Sequence, residues 1–436
     1  MAYTTRSAWL IVLVAAFFTS APVVSQVRRL AITNVNVVDV TSGAVLPTRT
    51  VVITGDTITD ISDGAAPAGI EIVQGQGKFL IPGLWDMHAH IQGSERGWLA
   101  LYVANGVTGI RDMGGDLEPI LASRAATASG RVLGPQIIAT GPILDDAPGD
   151  WPLRMRVRNA EQGRAAVQLL KRRGVDLIKV HNFTPRDAFL AIADEARRQN
   201  LPVAGHVPLK MTAEEAIEGG LMNVEHLSKM WMPCSGGREY RPGACAPFFT
   251  MLAQRGIWQT PTLVAGHETA VIGTPASTLN PDHVAYANKY LRGMWAGNQS
   301  LLPSSDVIQI LKAQAQIALT VTRDMARAGV GILAGCDALI AGFCVHDELA
   351  KMVEAGMTPL AALQTATLNP ARHLGMEETL GTIAVGKRAD FVLLDANPLE
   401  DIANVRRLHA VMLRGRLLDR GSLDNLLSEA QAAATE

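Results

Sequence analysis

From Pro82 to Gly375 the chain alternates short β-rich strings with amphipathic helical stretches. That alternation restricts it to an α/β architecture with a largely parallel sheet. Eight candidate strands stand out: Leu84–His90, Val107–Asp112, Gln136–Gly141, Asp176–His181, Pro202–His206, Asn223–His226, Trp258–Leu263 and Gly331–Asp337. Helical patterns fill the gaps, among them Glu161–Arg173, Arg186–Gln199 and Val307–Ala328. In Arg186–Gln199, Ala188, Ile192, Ala193 and Ala196 share one face, as a helix packing on a sheet requires. Eight parallel strands with helical crossovers close as a (β/α)₈ barrel. An open doubly wound sheet needs a glycine-rich phosphate turn after its first strand, and none follows His90.

Both ends have a different texture. Leu30–Val40 and Arg49–Ile61 read as short β-rich segments, and Asp390–Leu394 and Ala410–Leu413 as strands, with Gly381, Gly386 and Gly415 at turns. Residues 27–81 and 376–436 are therefore expected to form one small β-sandwich from both termini, beside a barrel at 82–375. Before it, Arg6 precedes an apolar stretch from Ala8 to Phe18 and small residues through Ser25. This is the pattern of a secretory signal at 1–26, cleaved near Ser25–Gln26, with an uncleaved anchor as the alternative. The expected location is periplasmic or secreted, with no membrane contact after signal removal.

The chain has 436 residues, enough for a large barrel plus an accessory domain. Aromatics make up only 5% against 48% hydrophobic residues, so the core is aliphatic. A net charge of -2 argues against nucleic acid as partner, because phosphate binding needs a concentrated basic surface. No disordered tail is indicated apart from the alanine-rich last few residues. Export permits disulfides, and the four cysteines allow three pairings. Cys234 with Cys245 is the preferred pair, closing a Gly- and Arg-rich loop; Cys336 and Cys344 are left either paired or free.

The unusual residues fall at the strand ends. His88 and His90 close the first strand, Lys179 lies near the end of the fourth, and His206, His226 and Asp337 end the fifth, sixth and eighth. Barrel enzymes collect catalytic groups at that level. Residues two apart on a strand point the same way, so His88 and His90 can grip one ion, and imidazole suits zinc and its neighbours. Lys179 sits in the apolar string Leu177-Ile178-Lys179-Val180, where burial lowers an amine's pKa. A neutral amine can add carbon dioxide, and the resulting carbamate offers two oxygens to bridge two cations; a lysine snorkelling to the rim is the plainer alternative. His206 and His226 are candidates for the second ion. Asp337 suits a metal ligand that also accepts a proton from the attacking water; an N-cap after the strand is its plainer alternative. Two ions roughly 3.5–4 Å apart would share a water, make hydroxide and polarise a carbonyl.

The string Ile81-Pro-Gly-Leu-Trp-Asp-Met-His-Ala-His90 resembles the amidohydrolase superfamily, as do the lysine, the two later histidines and the strand-eight aspartate. Thr367-Leu-Asn-Pro-Ala-Arg372 and Gly381-Thr-Ile-Ala-Val-Gly-Lys-Arg-Ala-Asp390-Phe-Val-Leu-Leu-Asp395 are similar to its C-terminal return. The segments around Lys179, His226 and His346 resemble its imidazolonepropionase-like branch. That branch contains metal-dependent peptidases acting on Xaa-Pro or other C-terminal residues, and enzymes hydrolysing the amide of ochratoxin. The resemblance implies a homo-oligomeric hydrolase with two divalent ions, zinc by default, and a carbamate on Lys179. It implies a small amide or short-peptide substrate and release of a C-terminal amino acid. Opening of a cyclic amide or lactone is the alternative chemistry; a non-catalytic barrel would be marked by lost ligands, and all six are in place. Cys336 stands where the family often has Thr or Ser. It is a silent replacement, a disulfide partner of Cys344 or an adventitious ligand.

Substrate contacts are less marked. Arg238, Tyr240 and Arg241, in the loop from Met230 to Cys245, can bind a carboxylate. His267 and His346 lie in or near segments expected to face the mouth. His181 shares the face of Lys179 and is a candidate for support of the metal ligands. His283, His373 and His409 read as structural or exposed.

Overall fold

In the computed structural model, the residues described are 28–91, 97–149, 153–235, 240–270, 281–287, 289, 292–293, 304–338 and 340–434. The expected signal segment 1–26 and Arg238 fall outside them. Among the described residues, no helix is long and apolar enough to cross a membrane.

The chain opens with Arg29–Val38 (β1), Val45–Thr54 (β2), Thr57–Ser62 (β3), Glu71–Gln74 (β4) and Phe79–Pro82 (β5). The β-rich segment expected at 49–61 belongs to a hairpin, in which Gly55 takes a φ of 64° and turns the chain between β2 and β3.

Ten strands follow: Leu84–Ala89 (β6), Val107–Asp112 (β7), Gln136–Ala139 (β8), Ile143–Asp145 (β9), Arg154–Arg156 (β10), Ile178–Val180 (β11), Val203–Gly205 (β12), Leu221–Glu225 (β13), Trp258–Thr260 (β14) and Gly331–Ile332 (β15). All ladders among them are parallel, in the orders β6-β7-β8 and β10-β9-β11-β12-β13-β14-β15. Single bonds join the two runs. Asp176 N–H donates to Ala139 O (2.8 Å), Met87 N–H to Ala334 O (2.8 Å) and Asp337 N–H to His88 O (2.8 Å). The eight expected strands thus stand side by side in a barrel-like ring. β9 and β10 are additions, three residues each and too short to carry a periodic pattern. The eighth strand ends at Ile332 rather than Asp337. Its continuation turns its bonds to several partners, Ala334 N–H donating to Thr365 O (3.0 Å).

At the far end come Phe391–Leu394 (β16), Leu408–Leu413 (β17) and Arg416–Asp419 (β18). β16 pairs antiparallel with β5, so both ends of the chain share one sheet, ordered β18-β17-β16-β5-β1-β2-β3 with β4 beside β1. Ile32, Ile53, Leu80, Phe391 and Met412 bury together in its own apolar cluster. The alanine-rich end is a helix, Arg420–Ala433, with Asp419 as N-cap accepting from Ser422 N–H. Its Leu427 and Ala430 pack on Leu101 of the helix Trp98–Ala104, which is why the segment is ordered.

Helices start and stop where the sequence signals them. Ala160–Arg173 begins at Asn159, whose side chain accepts from Gln162 N–H, and ends at Gly174 with φ 81°. Arg186–Arg198 buries Ala188, Phe189, Ile192, Ala193 and Ala196 on one face.

Gly205 ends β12 at φ 138°, and a Cβ there would overlap the Val180 carbonyl. Gly205→Ala is expected to cost at least about 2 kcal/mol, since both the conformation and the space are closed to alanine. Gly130→Ala, at φ 73° with nothing within 4 Å, should cost about 1 kcal/mol. Denaturant unfolding of both variants measures the difference; equal losses would contradict the close approach of β12 to β11.

Candidate metal centre and active site

Four imidazoles gather at the C-terminal ends of the barrel strands. Ring centroids of His88 and His90 lie 5.4 Å apart, His88 and His226 4.5 Å, and His206 and His226 4.8 Å. Asp337 joins them, with Oδ1 3.4 Å from His90 Nε2 and 3.9 Å from His88 Nε2, and Oδ2 3.7 Å from His226 Nε2. Lys179 is 2% exposed on β11. In the β11–β12 register it stands opposite Ala204, two residues before His206, and its charge adds to the lowering of the His88, His206 and His226 pKa values.

The Nδ1 atoms decide what the cluster can do. His88 Nδ1 lies 2.6 Å from Glu225 Oε2, His90 Nδ1 2.8 Å from Gly114 O, and His206 Nδ1 2.9 Å from Asn182 Oδ1. All three partners are acceptors, so each Nδ1 carries the hydrogen. His226 Nδ1 lies 2.7 Å from Thr262 Oγ1, whose own hydroxyl donates to Pro261 O (2.8 Å) and therefore accepts from the ring. In the neutral state every ring thus keeps its lone pair on Nε2. Burial holds His88 and His206 well below the usual imidazole range and brings His226 down to about 4, so these rings are neutral at physiological pH. Burial also brings the Lys179 amine down to about 8, against the pull of Glu225 and Asp337. Neutral imidazoles with fixed tautomers, a carboxylate and an amine near neutrality form a donor set that fits divalent cations. Among the described residues, His88, His90 and Asp337 offer ligand atoms all within 4.8 Å of one another.

Backbone strain concentrates here. His226 (φ 57°), Thr262 (φ 50°) and Asp337 (φ 49°) all adopt the left-handed conformation. Such positions cost about 1–3 kcal/mol each and persist where surrounding structure over-determines them.

Several residues essential to this geometry went unnoticed in the sequence. Arg111 is fully buried: Nε donates to Met87 O (2.7 Å), one terminal nitrogen to Glu225 Oε1 (2.8 Å) and Thr260 Oγ1 (3.1 Å), and the other to Asn223 Oδ1. Glu225, adjacent to His226, was detectable only as an acid inside an apolar strand. Glu348 accepts from the N–H groups of Leu263 (2.9 Å) and Val264 (2.8 Å), fixing the backbone that follows Thr262. Asn182 had no distinguishing pattern.

The expected supporting histidine and the expected substrate contacts fare differently. His181 stacks on His206 with centroids 4.0 Å apart, and burial brings it down to about 4. Tyr240 is turned away, its buried hydroxyl donating to Asp324 Oδ2 (2.7 Å). His346 is buried in the helix Cys344–Glu354 against the Asn105 carbonyl (2.9 Å), and burial brings it down to about 3. His267 is half-buried among Lys351, Glu354 and Lys312, and Arg241 is exposed on its loop. Of the expected substrate contacts, Tyr240, His346, His267 and Arg241 do not line the cavity of about 490 Å³ that opens over His206, His226 and Asp337. Two disulfides, Cys234–Cys245 and Cys336–Cys344, use all four cysteines.

Known proteins share this plan. A prolidase solved with N-methylphosphonate-L-proline matches at TM-score 0.69 and 25% identity, over 90% of this chain and 100% of its own. A bottromycin amidohydrolase shares the fold at TM-score 0.75 and 24% identity, over 95% and 94%. Ochratoxinase of Aspergillus niger is 26% identical over 74% of this chain and 71% of its own length. The amidohydrolase family model matches residues 79–418. The chain belongs to the amidohydrolase family, and is a hydrolase acting on amide or peptide bonds.

Proposed function

We propose that this protein is a binuclear metal-dependent amidohydrolase that releases a C-terminal amino acid from a dipeptide or an N-acyl amino acid. The observation that carries this reading is the convergence of four Nε2 lone pairs, one carboxylate and one buried amine at a single barrel mouth. His88 and His90 would hold one ion and His206 and His226 the other. Lys179, as its carbamate, would bridge them, and Asp337 would complete the first. Such ions supply Lewis acidity for a carbonyl and lower the pKa of water toward 7, with zinc the default. The prolidase and ochratoxinase relatives support an amide with a free amino-acid leaving group.

The chain's own residues then have defined tasks. Glu225, Gly114, Asn182 and Thr262 hold the imidazoles in register, so no reorientation is needed during turnover. Asp337 sits beside His88, His90 and His226, and its carboxylate is half-buried at the cavity floor. It takes the proton from the attacking water and returns it to the leaving nitrogen as the C–N bond breaks. We further propose that the enzyme is exported, a reading supported by its two disulfides, which persist in oxidising compartments.

A screen of dipeptides and N-acyl amino acids against lactones and cyclic amides, following amine release, tests the reaction class. Turnover confined to the lactones would refute it. Metal analysis of purified protein should find two divalent ions per chain, and Lys179→Ala should lose metal and activity together; full activity in that variant would count against the bridge. Asp337→Asn should lower kcat about 10²- to 10⁴-fold, the range of a proton-transfer group. Glu225→Gln should weaken metal affinity about 10- to 100-fold in chelator competition, because the Nδ1–H of His88 loses a charged acceptor. Unchanged affinity would show that this carboxylate does not tune the ligand.

A further inference from the structure

The cavity over the metal centre has an unusual wall. Leu311, Gln314, Ala315 and Ala318 line it from the helix Ser305–Arg327, at spacings that place them on one face. Trp231 and Leu263 are also part of the lining. The cationic member is Lys229, and its ammonium donates to three backbone carbonyls, Pro208 (2.9 Å), Leu209 (2.7 Å) and Met211 (2.7 Å). An ammonium has three protons, so its donors are all engaged by the loop and none is free for a ligand. Ala315 and Ala318 on this face are small where larger residues would shrink a volume of about 490 Å³, which lies in the range of small-molecule sites.

We infer that this helix face, with Ala318 and Ala315 as its gauge, is the specificity wall of the enzyme, and that it receives a bulky, uncharged, apolar substituent flanking the scissile carbonyl. Beyond the volume, two features support this. The ligand histidines His206 and His226 form part of the same cavity, so a group seated against the helix stays attached to the reacting centre. Trp231 lies three residues before the Cys234–Cys245 bridge, and the two sulfurs lie 3.7 and 3.8 Å from its carbonyl, so the bridge packs against the backbone that carries the indole. A cation placed here would meet Lys229 and, among the described lining residues, no carboxylate other than Asp337 of the metal centre.

The kinetic test rests on the amidohydrolase reading; the binding test does not. Two substrate series would be compared, one varying the acyl group from acetyl to naphthoyl on a fixed amino acid, the other varying the amino acid from glycine to phenylalanine under a fixed acyl group. In at least one series, Ala318→Phe should lower kcat/KM for the bulkiest member at least tenfold relative to the smallest, and Leu311→Ala should raise that ratio. Size ratios within twofold of wild type in both series, with metal content and melting temperature retained, would overturn the proposal. Calorimetric binding of 2-naphthamide to the metal-loaded protein keeps it testable without turnover: Ala318→Phe should weaken binding at least tenfold, and equal affinity would overturn the wall assignment. Wild-type protein that binds 2-naphthamide but hydrolyses no amide would leave the wall standing and remove the catalytic reading instead.

Discussion

The ion pair between Arg111 and Glu225 underlies the centre of the barrel. Both side chains are fully buried, and a charge so placed is tolerated only when nearly every donor and acceptor is used. Arg111 meets that condition by spending its guanidinium on Met87, Asn223, Thr260 and Glu225, which belong to β6, β13 and β14, while Arg111 itself stands on β7. Strands on opposite sides of the ring are thereby tied across it. The second oxygen of Glu225 is left for His88 Nδ1, so the charge that Arg111 neutralises at one end fixes a tautomer at the other. Removal of either partner leaves an uncompensated buried charge, which typically costs about 3–5 kcal/mol.

Above this level the ladder hydrogen bonds give way to strained backbone. His226 follows β13 and Thr262 follows β14, both in the left-handed conformation, and each is held by contacts from neighbours rather than by its own strand. His226 N–H donates to Thr260 O (2.9 Å), and Glu348 reaches from another helix to bind the next two N–H groups after Thr262. The barrel thus aims the imidazoles, while contacts from outside the ring stop the strand ends from relaxing.

This division explains how much was legible in the sequence. The strands and their terminal histidines could be read because hydrophobic periodicity and residue type are local signals. Lys179 stood out because an amine amid Leu177, Ile178 and Val180 conflicts with its surroundings, and its burial follows from that conflict. Arg111 and Asn182 could not be read, since each acts on a residue tens of positions away and neither breaks a local pattern. His346 misled for the opposite reason. Its flanking string resembles a functional motif, yet the helical period turns the ring inward onto Asn105. The ordered C-terminal helix was likewise hidden, because its stability comes from packing on Trp98–Ala104 rather than from its own composition.

Asp337 combines these constraints most tightly. The eighth strand is only two residues long, so the four residues between it and Asp337 lack a regular ladder. What fixes them is a set of separate anchors. Asp86 accepts from Cys336 N–H (3.0 Å) and from His88 N–H (3.0 Å), joining the first and eighth strands through one carboxyl group. Gly335 lets the segment approach His88 so closely that a Cβ would lie 2.8 Å from its backbone nitrogen. The Cys336–Cys344 bond then ties the segment to the helix Cys344–Glu354, the same helix that carries Glu348. Cys336 thereby places a covalent tie directly beside this aspartate. One helix therefore secures both the strand-seven backbone behind His226 and the strand-eight carboxylate, and the two sides of the cavity floor cannot move apart independently.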